Sequence, residues 1–62
     1  MAVKLDQIRI GSTVMVRENF GTSSPKEVTV LGIEENIKNG APGIDYLGKW
    51  AYLHQVDMVI KY

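Results

Sequence analysis

Seven valines and six isoleucines stand against three alanines and four leucines in a chain of 62 residues. β-Branched side chains lose rotamer freedom in a helix and pack well on a pleated surface. This imbalance therefore calls for strands, and six glycines spread along the chain supply turns between them. Length sets the second constraint. A domain of about 60 residues buries only about 60% of the surface its unfolded chain exposes. One small core is the most that residues 1–62 can build, which leaves no room for a deep, separately shaped catalytic cleft. There is no cysteine, so disulfides and thiolate metal sites are excluded.

Period-two alternation is clearest in Thr13-Val14-Met15-Val16-Arg17, where Val14 and Val16 take one face. Before it, Leu5 to Ile10 reads as a short strand or an irregular turn. The stretch Glu18 to Pro25 carries Asn19, Gly21, Thr22, Ser23 and Ser24, which is loop chemistry. Phe20 sits within it, placed either to fold back on the core or to meet a ligand. Lys26 to Glu35 reads as the longest strand, with a bulge near Gly32 where the apolar phase switches. Asn39-Gly40 is the strongest turn signal, because both residues accept the positive φ of a type I′ hairpin. Glu34–Lys38 and Gly43–Leu47 flank it, with Ile44–Leu47 as strand and Gly48 marking a second tight turn. Lys49–Leu53 is the next strand. His54 to Asp57 loses the alternation and reads as one 3-10 turn, and Met58–Lys61 closes the chain.

The expectation is an all-β domain of five short strands, with at most one 3-10 turn before the last. The expected core is Ile8, Ile10, Val14, Val16, Val28, Val30, Ile33, Ile44, Ala51, Leu53, Val56 and Ile60. Three pieces carry a family resemblance: Ile10-Gly11-Ser12-Thr13-Val14-Met15-Val16, Glu27-Val28-Thr29-Val30-Leu31-Gly32-Ile33, and Tyr52 through Ile60. In strand order and loop lengths the chain resembles the SH3-like small β-barrels. A single five-stranded barrel over 1–62 is what that resemblance implies. An OB-like barrel is the alternative, and it ordinarily needs a longer chain and a helix.

Seven basic residues balance seven acidic ones, and the net charge is zero. This removes the simplest electrostatic argument for a nucleic acid or an acidic membrane partner. No apolar run approaches the ~20 residues that span a bilayer. Met1-Ala2-Val3-Lys4 begins no apolar h-region, so the expected location is cytoplasmic. His54 is the only histidine. With Asp57 at i+3 it has the makings of an acid–base pair, but no nucleophile is evidently placed beside it. Glu34, Glu35 and Asp45 form no calcium-loop pattern, and Gly40, Gly43 and Gly48 do not have phosphate-loop spacing. No catalytic residue, metal or cofactor is assigned. Among SH3-like proteins the plasmid-encoded type II dihydrofolate reductases are catalytic, through a Val-Gln-Ile-Tyr strand. The comparable strand here reads Trp50-Ala51-Tyr52-Leu53, so no enzymatic role carries over.

The aromatic residues remain. With Ala51 and Leu53 turned inward, Trp50 and Tyr52 face outward, and Tyr46 is expected beside them across the Gly48 turn. Exposed aromatics grip proline-rich peptide, stack on bases or cage a cation. Phe20, Tyr46, Trp50 and Tyr52, with Arg17 and Lys26 flanking the 18–25 loop, are therefore the candidate partner-binding residues. The expected function is non-catalytic: a module, or an accessory subunit of a larger assembly, that binds protein or peptide. Self-association through the same face belongs to this reading. A nucleic-acid module similar to KOW or Tudor domains is the alternative, and the zero net charge counts against it.

Overall fold

The computed structural model describes residues 3–62. The chain is mostly β, with six strands: β1 (Thr13–Arg17), β2 (Pro25–Thr29), β3 (Gly32–Lys38), β4 (Ala41–Tyr46), β5 (Lys49–Tyr52) and β6 (Val56–Lys61). They form two antiparallel sheets, ordered β2-β1-β6 and β3-β4-β5. Short 3-10 turns at Leu5–Gln7 and Leu53–Gln55 precede β1 and β6. No helix among the described residues is long and apolar enough to cross a membrane.

The all-β expectation holds, with differences in detail. The ladders describe two sheets of three strands rather than one closed five-stranded barrel. The expected long strand Lys26–Glu35 is two strands in different sheets. The break falls at Val30-Leu31, where the backbone changes partners. Val30 N–H donates to the Ser12 carbonyl at 2.8 Å, and Gly11 N–H donates to the Val30 carbonyl at 2.8 Å. One residue later, Leu31 N–H donates to the Asp45 carbonyl on β4, also at 2.8 Å. The change of apolar phase near Gly32 records this crossing, since each sheet turns its own alternate residues toward the shared core.

That core is Ile8, Val14, Val16, Val28, Val30, Ile44, Tyr46, Ala51, Leu53 and Val56. The inward rows run Val28–Val14–Val59 in one sheet and Ile33–Ile44–Ala51 in the other. Ile33 and Val59 are half-buried against the cluster. Two expected core residues are outside it: Ile10 is 68% and Ile60 48% exposed. Ile10 precedes Gly11, whose φ of 98° turns the chain. Ile60 sits where β6 gains an extra residue against β1, between the Val14–Val59 and Thr13–Lys61 pairs. Ser12, fully buried, is satisfied: its hydroxyl donates to the Tyr62 carbonyl at 2.9 Å and accepts from the Arg9 N–H at 2.9 Å. Arg9 Nε donates to the same Tyr62 carbonyl at 3.0 Å.

Both hairpins of the β3-β4-β5 sheet have two-residue turns in the left-handed region. Asn39 and Gly40 have φ of 54° and 77°, as the sequence expects of a type I′ turn. The second turn is Leu47-Gly48, with φ of 46° and 75°, so Leu47 is a turn residue and not the end of a strand. The 3-10 turn comes one residue earlier than expected, and β6 accordingly begins at Val56. Between the Glu34–Gly43 and Lys38–Ala41 pairs, three residues of β3 oppose only Pro42, which has no N–H to offer a ladder. This bulge lays Ile37 over Gly43.

A Cβ built on Gly43 would lie 2.5 Å from the Ala51 carbonyl oxygen and 2.5 Å from Ile37 Cγ2. The carbonyl belongs to ladder backbone and cannot retreat, and Ile37 Cβ, at 3.0 Å, is tied to its own main chain. At Gly32 the nearest atom is Asp45 Oδ2 at 2.9 Å, the free end of a movable side chain. Gly43→Ala is therefore expected to cost about 1–3 kcal/mol as overpacking, and thermal melting should fall by roughly 4–8 °C per kcal/mol. Gly32→Ala should melt within about 4 °C of wild type. Equal melting temperatures for the two variants would contradict the close approach assigned to Gly43.

Candidate functional site

The segment between β1 and β2 is not an open loop. Glu18–Gly21 closes one helical turn, and the Thr22 N–H caps it on the Asn19 and Glu18 carbonyls. Its interior is left-handed: Asn19 has φ 54° and ψ 51°, and Phe20 has φ 58° and ψ 32°. Gly21 follows at φ 89°. Asparagine and glycine visit this region readily, whereas a bulky side chain is a rare occupant. Phe20 is held there and is 71% exposed.

Trp50 and Tyr52 stand on the outer face of β5, as the alternation expects, while Ala51 is buried between them. Their rings meet edge to face at 5.0 Å. Phe20 reaches toward Tyr52, with 6.5 Å between centroids, and His54 stacks on Tyr52 at 5.2 Å. Lys38 Nζ lies 5.8 Å above the Trp50 ring. The result is an exposed aromatic wall on an open cleft of about 530 Å³. Phe20 and Ser23 line one bank of the cleft, and Lys49, Trp50 and Gln55 the other.

Tyr46 is the expected binding residue that the structure moves. It is only 2% exposed and belongs to the core. The two-residue turn at Leu47-Gly48 pairs Tyr46 with Lys49 and Asp45 with Trp50. Residues directly opposite share a face, so Tyr46 points inward with Ile44, not outward with Trp50. Its hydroxyl still reaches the cleft floor, where it donates to Glu18 Oε2 at 3.0 Å.

Glu18, which the residue pattern did not single out, is the polar centre of the site. It accepts from the Tyr46 hydroxyl and pairs with Lys26 Nζ at 3.7 Å and Lys49 Nζ at 3.5 Å. Three strands thus converge on one carboxylate. The Tyr46 hydrogen bond, helped by both lysines, holds the Glu18 carboxyl below its ordinary range. Burial first, then the hydrogen bond to Glu18 and last its charge, push the Tyr46 phenol up to about 12. Arg17 is placed on the other side of the loop, pairing with Asp57 at 3.4 Å, with both side chains 43% exposed. Such exposed pairs contribute about 0–1 kcal/mol. Gln55, 6% exposed, joins the strands beneath the cleft. Its Nε2 donates to the Arg17 carbonyl at 2.9 Å, and its Oε1 accepts from the Tyr52 N–H at 2.8 Å.

Of the residues expected to bind, Phe20, Trp50 and Tyr46 line the cleft, Tyr52 touches it only through its ring contacts with Phe20 and Trp50, Lys26 only through Glu18, and Arg17 not at all. Among the described residues no three His, Asp or Glu side chains gather closely enough to hold a metal ion. No family model matches the chain, and neither curated proteins nor solved structures gave a match.

The Glu18–Tyr46 contact ties stability to pH at both ends. A carboxyl lowered on folding stabilises above its unfolded value of 4.5, and that contribution disappears as pH falls through the lower folded value. A phenol raised on folding contributes fully below 10, and its contribution is lost as pH rises toward about 12. Melting temperature should therefore fall on both sides of a neutral plateau. In Tyr46→Phe the acid-side fall should shrink, and the part above pH 10 that comes from this phenol should vanish. Thermal unfolding of both proteins from pH 2 to pH 12 checks this, and superimposable profiles apart from a constant offset would refute it.

Proposed function

We propose that the chain is a non-catalytic binding domain of SH3-like architecture. It takes a protein or peptide segment into the cleft between the 18–25 turn and β5. The observation carrying this reading is the aromatic wall itself. Phe20 and Trp50, 71% and 40% exposed, line one cleft and are joined through Tyr52 into a contiguous aromatic surface, and contiguous exposed apolar patches mark interaction sites. Aromatic residues lose little entropy on binding and dominate interface energetics. The SH3-like reading is supported by the run that passes from one sheet to the other at Val30-Leu31, and by the 3-10 turn before the last strand. A cytoplasmic accessory subunit, docking on a larger assembly through this cleft, is the role that suits such a domain.

A nucleic-acid module is the second reading, favoured by Lys38 and Lys49 standing beside Trp50. Against it, Arg17 and Lys26 are engaged with Asp57 and Glu18, so the loop offers a strand of phosphates few uncompensated cations.

Selection of random peptides on the immobilised domain tests the first reading. Selected peptides should bind wild type, and Trp50→Ala should weaken them by about tenfold or more. Because Trp50 is partly exposed, Trp50→Ala should melt within about 8 °C of wild type. Failure to enrich any peptide, together with salt-sensitive binding of mixed-sequence DNA or RNA, would transfer the site to the second reading.

A further inference from the structure

Two features of the cleft remain unexplained by folding alone, and together they specify its ligand. The first is Phe20. A phenylalanine with φ 58° stands in a region that costs a bulky residue free energy. The side chain is 71% exposed and its one aromatic neighbour, Tyr52, is 6.5 Å away. Asparagine or glycine would make the same turn with less strain. The second feature is charge. Lys26 and Lys49 both face the single carboxylate of Glu18, and their side chains are 49% and 60% exposed. Arg17 is offset by Asp57. Around the Glu18 carboxylate two ammonium groups therefore face one negative charge, an excess of one, in a chain whose total charge is zero.

We infer that Phe20 and Trp50 form a clamp for an apolar side chain of a peptide segment, and that the segment carries a carboxylate beside that side chain, received by Lys49, which lines the cleft with a side chain 60% exposed. This deepens the peptide-binding reading and rests on it. The left-handed turn holds Phe20 exposed on the cleft that Trp50 also lines, so both rings are available before the ligand arrives. Glu18 repels a second carboxylate from the cleft floor but holds both ammonium groups at its mouth. A ligand carboxylate is directed to the rim while the apolar side chain enters between the rings. A basic ligand, in contrast, meets Lys49 and finds Glu18 already occupied by Tyr46 and two lysines.

The test uses two capped peptides, acetyl-Asp-Trp-Leu-Asp-amide and acetyl-Lys-Trp-Leu-Lys-amide, titrated into labelled full chain and followed by amide chemical shifts. The acidic peptide should move the amides of Phe20, Lys49, Trp50 and Tyr52, and bind about three- to tenfold more tightly at low salt, as expected for one or two exposed charge pairs. Lys49→Gln should remove most of that preference, weakening the acidic peptide while the basic peptide binds as well or somewhat better for the loss of a like charge. Phe20→Asn should weaken both peptides by about fivefold or more, yet melt at or above the wild-type temperature, because asparagine suits the left-handed turn. A lower melting temperature in Phe20→Asn with unchanged peptide affinity would make Phe20 structural and overturn the clamp. Equal affinity for the two peptides, or a preference for the basic one, would overturn the charge assignment and leave peptide binding standing. If neither peptide moves any amide but oligothymidine does, the peptide-binding reading falls with it.

Discussion

One crossing of the backbone holds this fold together. At Val30-Leu31 consecutive residues donate to different sheets, Val30 to Ser12 and Leu31 to Asp45. No turn residue interrupts the run, so the two sheets are joined by a covalent corner with its hydrogen bonds made on both sides. An unpaired buried N–H at such a corner would cost about 1–3 kcal/mol. Satisfying both lets the chain change sheets without that loss. The buried valines on either side, Val28 and Val30, then point into the same core that Ile44 fills from the other sheet.

Much of this was legible in local patterns. Thr13–Arg17 alternates without interruption, and it is a strand over those same residues. Asn39-Gly40 makes the turn that its backbone freedom demands. The outward setting of Trp50 and Tyr52 follows from the smallness of Ala51. What was not legible depends on partners. Nothing local in Lys26–Glu35 distinguishes a bulged strand from one that changes sheets, because the distinction lies in which carbonyls receive Val30 and Leu31. Leu47 sits at φ 46° against its own preference because the two-residue hairpin requires a left-handed pair, with Gly48 supplying only half of it.

The placement of Tyr46 shows how such an error spreads. Once Leu47 is given to the turn, Tyr46 must pair with Lys49 and share the face of Ile44. The parity was present in the sequence, since Ile44 and Tyr46 are two apart. The site itself was half visible. Phe20, Trp50 and Tyr52 announce themselves as aromatics outside any apolar run, whereas Glu18 is one acidic residue among seven. Its importance comes only from being where Tyr46, Lys26 and Lys49 converge. Ile60 was misread for a similar reason, because a bulge shifts its parity without leaving a mark in the residue type.

The position of the cleft follows from how the sheets are closed. At the Val30-Leu31 corner they are joined by main chain. At the cleft the main chain crosses again, through Leu53–Gln55 from β5 to β6, and side chains add to it: Glu18 gathers Lys26 of β2, Tyr46 of β4 and Lys49 of β5, while Gln55 bridges the carbonyl of Arg17 and the N–H of Tyr52. Ion pairs and side-chain hydrogen bonds adjust over tenths of an ångström more readily than a ladder does. The same contacts leave the two banks apart, with space between them for a ligand. A core this small could have closed the gap with an apolar residue at position 18. Instead it carries a carboxylate anchored from below by the buried Tyr46 hydroxyl, and two lysines held at the rim. The left-handed Phe20 turn, the exposed Trp50 and two lysines sharing one carboxylate thus collect around a single side chain, Glu18.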